Sequence, residues 1–222
     1  MSVERGSFYT SPRVRNTHPT SLIKAVLFDY GGVVVDGGKV GGLANNLATE
    51  LEIPDDHAER LMGYGLSMLQ RGLISEDEFW EGLEQVHGSP IPATKRDVWA
   101  STEDQKPRAE VIAFRDDLNS RGIHTAVLSN TEPNMAAALR EHGGYDGFQS
   151  LILSCEVGYV KPQLEIYQAA LDQLGDIKPD EVLLIDDQEK YLEPARSLGI
   201  KTVFAQTPQQ LIADAEALIN PK

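Results

Sequence analysis

Six residues with chemical capacity stand where short apolar runs of the chain end. Asp29 follows Ala25-Val26-Leu27-Phe28, and Ser129-Asn130 follows Thr125-Ala126-Val127-Leu128. Asp186-Asp187 follows Val182-Leu183-Leu184-Ile185, and Lys161 lies in Gly158-Tyr159-Val160-Lys161-Pro162, after a third apolar run. Each has an ordinary reading by itself. An aspartate after a strand commonly caps a turn or helix, Ser129-Asn130 is placed to cap a helix opening near Pro133, and Lys161 could be a solvated surface charge. Together the ordinary readings strain. Three carboxylates at one edge repel one another unless they are protonated or offset by a cation, and one lysine cannot neutralise three. Mg²⁺ prefers oxygen ligands and binds through one or two carboxylates plus a phosphate, which would settle that charge balance.

The elements that must position these residues follow from apolar periodicity. Five runs rich in Val, Ile and Leu lie at 23–28, 124–128, 150–154, 182–185 and 201–205, and all but the first are preceded by a segment of helical spacing. Runs apolar on both faces, alternating with amphipathic helices, predict a buried parallel sheet with crossover helices, an α/β doubly wound core. Gly122, Gly175 and Gly199 fall where helices should stop before the next strand. In such a sheet ligands bind outside the carboxyl ends of the strands, which is where the six residues converge. The alternation fails between 37 and 106, where the spacing is helical throughout: Leu43, Leu47, Leu51; Leu61, Met62, Leu66, Leu69; Phe79, Leu83, Val86. Ser75 and Glu78 form a capping box inside this block. The expected organisation is a flexible leader at 1–21, a core at 22–36 and 107–222, and an all-helical lobe at 37–106.

Composition narrows the partners. The chain of 222 residues has 34 acidic and 20 basic residues, a formal net charge of −14. So acidic a surface has little attraction for nucleic acid or anionic lipid. No run approaches the ~20 apolar residues that span a bilayer. Arg5, Arg13 and Arg15 precede no apolar stretch, which excludes a secretory signal and leaves a cytoplasmic location as the expectation. The single cysteine, Cys155, excludes an internal disulfide and is expected as a buried thiol at the end of its strand. Trp80 and Trp99 are expected to pack in or beside the helical lobe, and His57, His87, His124 and His142 show no ligand spacing. The sequence carries no mark of an oligomeric state.

Four segments resemble, in order, the four motifs of the haloacid dehalogenase superfamily: AVLFDYGGVVVD at 25–36, AVLSN at 126–130, VGYVKPQLEIY at 157–167 and LLIDDQEKYLEPARSLGI at 183–200. The helical block sits where that family carries a small helical cap. The resemblance implies a Rossmann-like core and hydrolysis of a small phosphorylated metabolite, a sugar phosphate among the candidates. In it the Asp29 carboxylate attacks phosphorus and water hydrolyses the aspartyl-phosphate. It implies Mg²⁺ held by Asp29, the Gly31 carbonyl, Asp186 and Asp187, with Asp187 the direct ligand and Asp186 direct or through water. Ser129 and Asn130 would bind the phosphoryl oxygens, and Lys161 would balance the charges.

Two positions depart from the pattern. Gly31 stands where the usual phosphatase has a second aspartate acting as acid and base, although some sugar-phosphate phosphatases of the family share Asp-x-Gly. Tyr191 stands where asparagine is common. The missing acid also admits a metal-independent 2-haloacid dehalogenase, in which Asp29 attacks carbon, or a non-catalytic binding protein on the same scaffold. Against the dehalogenase, the acid pair suits a cation and no arginine lies near the Asp29 segment in sequence.

Overall fold

The computed structural model describes residues 23–36, 55–97 and 106–221; the expected leader, Leu43, Leu47, Leu51 and Trp99 lie outside them. The strands are β1 (Ala25–Phe28), β2 (His124–Ser129), β3 (Ser150–Leu153), β4 (Val182–Asp186) and β5 (Lys201–Phe204). They form one parallel sheet in the order β3-β2-β1-β4-β5. Every residue of β1 and of β4 is buried, as expected for strands covered on both faces.

The pleat explains the two-sided core. Val26 and Phe28 of β1 point to one layer, where Phe114 and Leu118 of α4 (Ala109–Ser120) and Leu211 and Ala215 of α9 (Pro208–Ile219) pack. Ala25 and Leu27 point to the other, against Ile166 and Ala170 of α7 (Leu164–Leu174) and Leu192 of α8 (Glu189–Ser197). The remaining core helix, α5 (Pro133–Glu141), joins β2 to β3. The doubly wound α/β reading therefore holds, and each expected run is a strand.

The strand bounds differ from the apolar runs by one or two residues, and one of these shifts moves a residue singled out in the sequence. The third run ends at Leu153, and Ser154 opens a one-turn helix, α6 (Ser154–Val157). The Ser154 hydroxyl accepts from the Thr131 amide at 2.9 Å and donates to the Thr131 carbonyl at 3.2 Å, so it ties α6 to the segment after β2 instead of extending the ladder. Cys155 accordingly lies on this helix, half-buried, and not at a strand end. Burial pushes its thiol up to about 11, which keeps it protonated.

Between β1 and α4 the described residues form α1 (Asp55–Gln70), α2 (Glu76–His87) and the short α3 (Ala93–Asp97). Ser75 caps α2 through the reciprocal box with Glu78. Phe79, Trp80 and Leu83 are its buried face, and the Phe79 and Trp80 rings meet edge-on at 5.4 Å.

Candidate active site

The carboxyl ends of β1 and β4 are neighbours in the sheet, so Asp29, Asp186 and Asp187 meet. Each offers an oxygen within 4.8 Å of the others'. Lys161, almost wholly buried, places Nζ 2.8 Å from Asp29 Oδ1 and 2.6 Å from Asp186 Oδ2. The Tyr30 amide also donates to Asp29 Oδ1, at 2.7 Å, and the Gln188 amide donates to Asp186 Oδ1 at 2.8 Å. Among the described residues, Asp187 Oδ1 is buried without a hydrogen-bond partner. A buried carboxylate oxygen is ordinarily satisfied, so this one suits a further donor or a cation.

The loop after β1 is shaped to receive Asp187. Gly32 has φ +86°, and a Cβ there would stand 2.1 Å from Asp187 Oδ2. Glycine is thus required twice, for conformation and for space. The loop closes through the Val34 and Val35 amides donating to the Tyr30 carbonyl and the Gly32 amide donating to the Val35 carbonyl. None of these bonds uses the Gly31 carbonyl.

Charge follows geometry. Burial pushes the Asp29 carboxyl up to about 7; Lys161 opposes the shift, and Asp186 and Asp187 add to it. Burial raises Asp187 too, reinforced by Asp186. Burial alone would lower Lys161, yet the attraction of Asp29 and Asp186 holds it above its ordinary value. Three carboxylates and one ammonium sum to −2 when all are ionised. A divalent, oxygen-seeking cation therefore fits this donor set in both charge and chemistry.

The structure refines three positions. Ser129 is buried at the end of β2, and among the described residues its hydroxyl makes a long 3.4 Å contact with the Asn130 carbonyl. It does not cap α5, whose N-cap is Glu132. Asn130 accepts from the Lys161 amide at 2.7 Å and donates to the Lys161 carbonyl at 3.0 Å, so its side chain clamps the lysine backbone. Tyr191, at the position where the resemblance has asparagine commonly, places its ring centroid 5.0 Å from Lys161 Nζ.

Arg108 went unrecognised in the sequence. It is 76 residues from Gly32, yet its Nη1 donates to the Gly32 carbonyl at 2.7 Å and its Nε to Asp36 at 2.8 Å. An arginine therefore does lie beside the Asp29 segment in space, braced against backbone and Asp36. The pairing of Val35 with Pro107 and the Arg108 amide donating to the Val34 carbonyl at 2.8 Å bring it there, and no periodicity encodes those contacts.

Helices α1 and α2 meet the same edge through the turn between them. Gln70 donates to Glu132 at 2.8 Å, Arg71 to the Gly158 carbonyl at 2.9 Å, and Asn134 to Glu76 at 2.9 Å. Gly72, at φ +64°, lets the turn approach the Cys155 carbonyl, 2.5 Å from where a Cβ would be. Burial raises the Glu132 carboxyl, with the Gln70 bond opposing.

Fold and site together define a Rossmann-like α/β protein with a buried carboxylate–lysine centre at the carboxyl edge of its sheet. The chain belongs to the haloacid dehalogenase-like hydrolase family, which it matches over residues 23–199. It is 31% identical over 131 residues to the GMP/IMP nucleotidase YrfG of Escherichia coli, covering 56% of this chain and 59% of that protein. The chain thus spans less than two thirds of that relative. It is 25% identical over 193 residues to the D-ribitol-5-phosphate phosphatase of Bacteroides thetaiotaomicron, covering 82% of this chain and 91% of that one. A HAD family enzyme of the same organism, solved in complex with magnesium and inorganic phosphate, superposes with a TM-score of 0.65 at 24% identity, covering 83% of this chain and 94% of that one. Among the described residues no helix is long and apolar enough to cross a membrane.

Proposed function

We propose that this hydrolase is a Mg²⁺-dependent phosphatase of a small phosphorylated metabolite, a sugar phosphate among the candidates, acting through an aspartyl-phosphate on Asp29. The observation that carries the reading is the unpartnered, buried Asp187 Oδ1 inside a cluster of three carboxylates that Lys161 offsets only in part. The relatives named for phosphorylated substrates support it.

Asp29, Asp186, Asp187 and the Gly31 carbonyl would hold the ion. When bound, Mg²⁺ supplies positive charge to the carboxylates and to the phosphoryl oxygens. The Asp29 carboxylate attacks phosphorus, the bond to the leaving oxygen breaks, and water later attacks the same phosphorus to release phosphate and restore Asp29. Ionisation of Asp29 is required for attack, and Lys161 favours it. Ser129, with its hydroxyl weakly engaged, is placed to donate to a phosphoryl oxygen, and Lys161 balances the charge of nucleophile and phosphate. Asn130 serves this reaction chiefly by fixing Lys161. The helical block acts as a cap that excludes water and contacts the rest of the substrate.

The test is hydrolysis of a panel of sugar phosphates, nucleotides and haloacids, each with Mg²⁺ and with excess chelator. Phosphate release that needs Mg²⁺ and is lost in Asp29→Asn supports the reading. Full phosphatase turnover in chelator, or halide release in place of phosphate release, overturns it.

A further inference from the structure

We propose that Tyr191 is a positioning residue for Lys161, its ring face holding the buried ammonium in line with the two carboxylates; the inference rests on the phosphatase reading for its kinetic consequences only. An ammonium has three N–H donors and no acceptor. Two contacts of Lys161 go to Asp29 at 2.8 Å and Asp186 at 2.6 Å. The Tyr191 ring centroid at 5.0 Å lies within the ~6 Å over which an aromatic face attracts a cation.

The backbone that carries the ring is anchored on both sides. The buried Tyr167, on α7, donates from its hydroxyl to the Tyr191 carbonyl at 2.7 Å, and the Tyr191 amide donates to the Gln188 carbonyl at 2.9 Å. Asn130 meanwhile fixes the backbone of Lys161 through both its N–H and its C=O. The lysine is thus held at its root by Asn130 and at its head by two carboxylates and one ring. A flexible four-carbon stem needs such a second hold, because a displaced ammonium would pair with one carboxylate and leave the other uncompensated. Lys190 Nζ lies 4.8 Å from the same ring, but Lys190 is exposed, so water weakens its share of the attraction.

An apolar side chain of similar bulk fills space and offers no negative face; phenylalanine keeps the face and drops only the hydroxyl. The experiment compares Tyr191→Phe, Tyr191→Met and Tyr191→Leu, each confirmed folded by thermal melting. The first readout is Mg²⁺-supported hydrolysis of p-nitrophenyl phosphate. The expectation is near wild-type kcat for Tyr191→Phe and a fall in kcat of about tenfold for Tyr191→Met and Tyr191→Leu, with KM little changed. The second readout needs no activity: acetylation of the intact protein by acetic anhydride, followed residue by residue by mass spectrometry. Lys161 should be protected in wild type and Tyr191→Phe and should react faster in the Met and Leu variants. Wild-type kcat and protection in the Met and Leu variants overturn the proposal. So does a Phe variant as impaired as Met, or a raised KM at constant kcat, which would make the ring a substrate contact. A wild type without phosphatase activity would refute the function proposed above and leave the acetylation comparison to decide the role of Tyr191.

Discussion

Replacing Gly32 by alanine separates the shape of the cation site from its charge. At φ +86° a side chain costs about 1–2 kcal/mol, and the added Cβ would stand 2.1 Å from Asp187 Oδ2. To reach an ordinary contact of 3.4 Å the carboxylate oxygen must retreat by about 1.3 Å. Metal sites tolerate displacements of about 0.2 Å, and Mg²⁺ is stricter than most ions about geometry. A shift several times that tolerance should weaken Mg²⁺ by about 10- to 100-fold, the range seen when the supports of a metal ligand are removed. Gly122→Ala is the control, because Gly122 has a similar φ of +75° with nothing within 4 Å of a Cβ. Both variants should lose about 2–8 °C in Tm from backbone strain. Only Gly32→Ala should move the Mg²⁺ half-saturation of phosphatase activity and of Mg²⁺ binding followed by calorimetry. If Gly32→Ala bound Mg²⁺ within twofold of wild type, or Gly122→Ala lost as much, the assignment of Asp187 as a ligand braced by this loop would be refuted.

Other outcomes follow from single side chains. Burial raises Glu132, so the folded protein keeps a proton that the unfolded chain has already lost; the stability this brings is fully present below the unfolded value and lost as pH rises through the folded one. Glu132→Gln keeps an acceptor for Gln70, so it should flatten melting temperature against pH and raise Tm at neutral pH, and parallel curves for the two proteins would contradict this. With no acid at Gly31, turnover should fall steeply as the leaving group becomes more basic, since general acid help is worth ~10² to 10⁴ in rate. A rate insensitive to leaving-group pKa across a series of aryl and alkyl phosphates, with chemistry rate-limiting, would place an acid elsewhere. Asp187→Asn should weaken Mg²⁺ while leaving Tm unchanged or higher, because it removes one of three mutually repelling acids; unaltered Mg²⁺ binding by calorimetry would refute its role.

What the sequence made legible was whatever local periodicity writes down. Runs such as Val182–Ile185 are apolar at every position because both faces of the sheet are covered, and their ends put Asp29, Ser129 and Asp186 on one edge. Ser75 with Glu78 announced α2 by spacing alone. Contacts between distant segments were not legible. The docking of Gln70 on Glu132, the reach of Arg108 to Gly32 and the tether of Ser154 to Thr131 depend on how the elements pack, and no residue spacing records it. Tyr191 shows the same limit. Its identity is plain in the sequence, but its ring meets Lys161, and its carbonyl meets Tyr167 of another helix, only in the folded chain.

The central claim is covalent transfer of a phosphoryl group to Asp29, and an acid-quenched single turnover tests it most directly. Protein mixed with excess Mg²⁺ and an aryl phosphate, stopped in acid within one turnover and digested, should yield the Asp29 peptide carrying one phosphoryl group. The adduct should disappear in chelator and in Asp29→Asn, and its decay should match the release of phosphate. Phosphate release at full rate with no adduct on Asp29, or an adduct that persists in Asp29→Asn, would contradict the account.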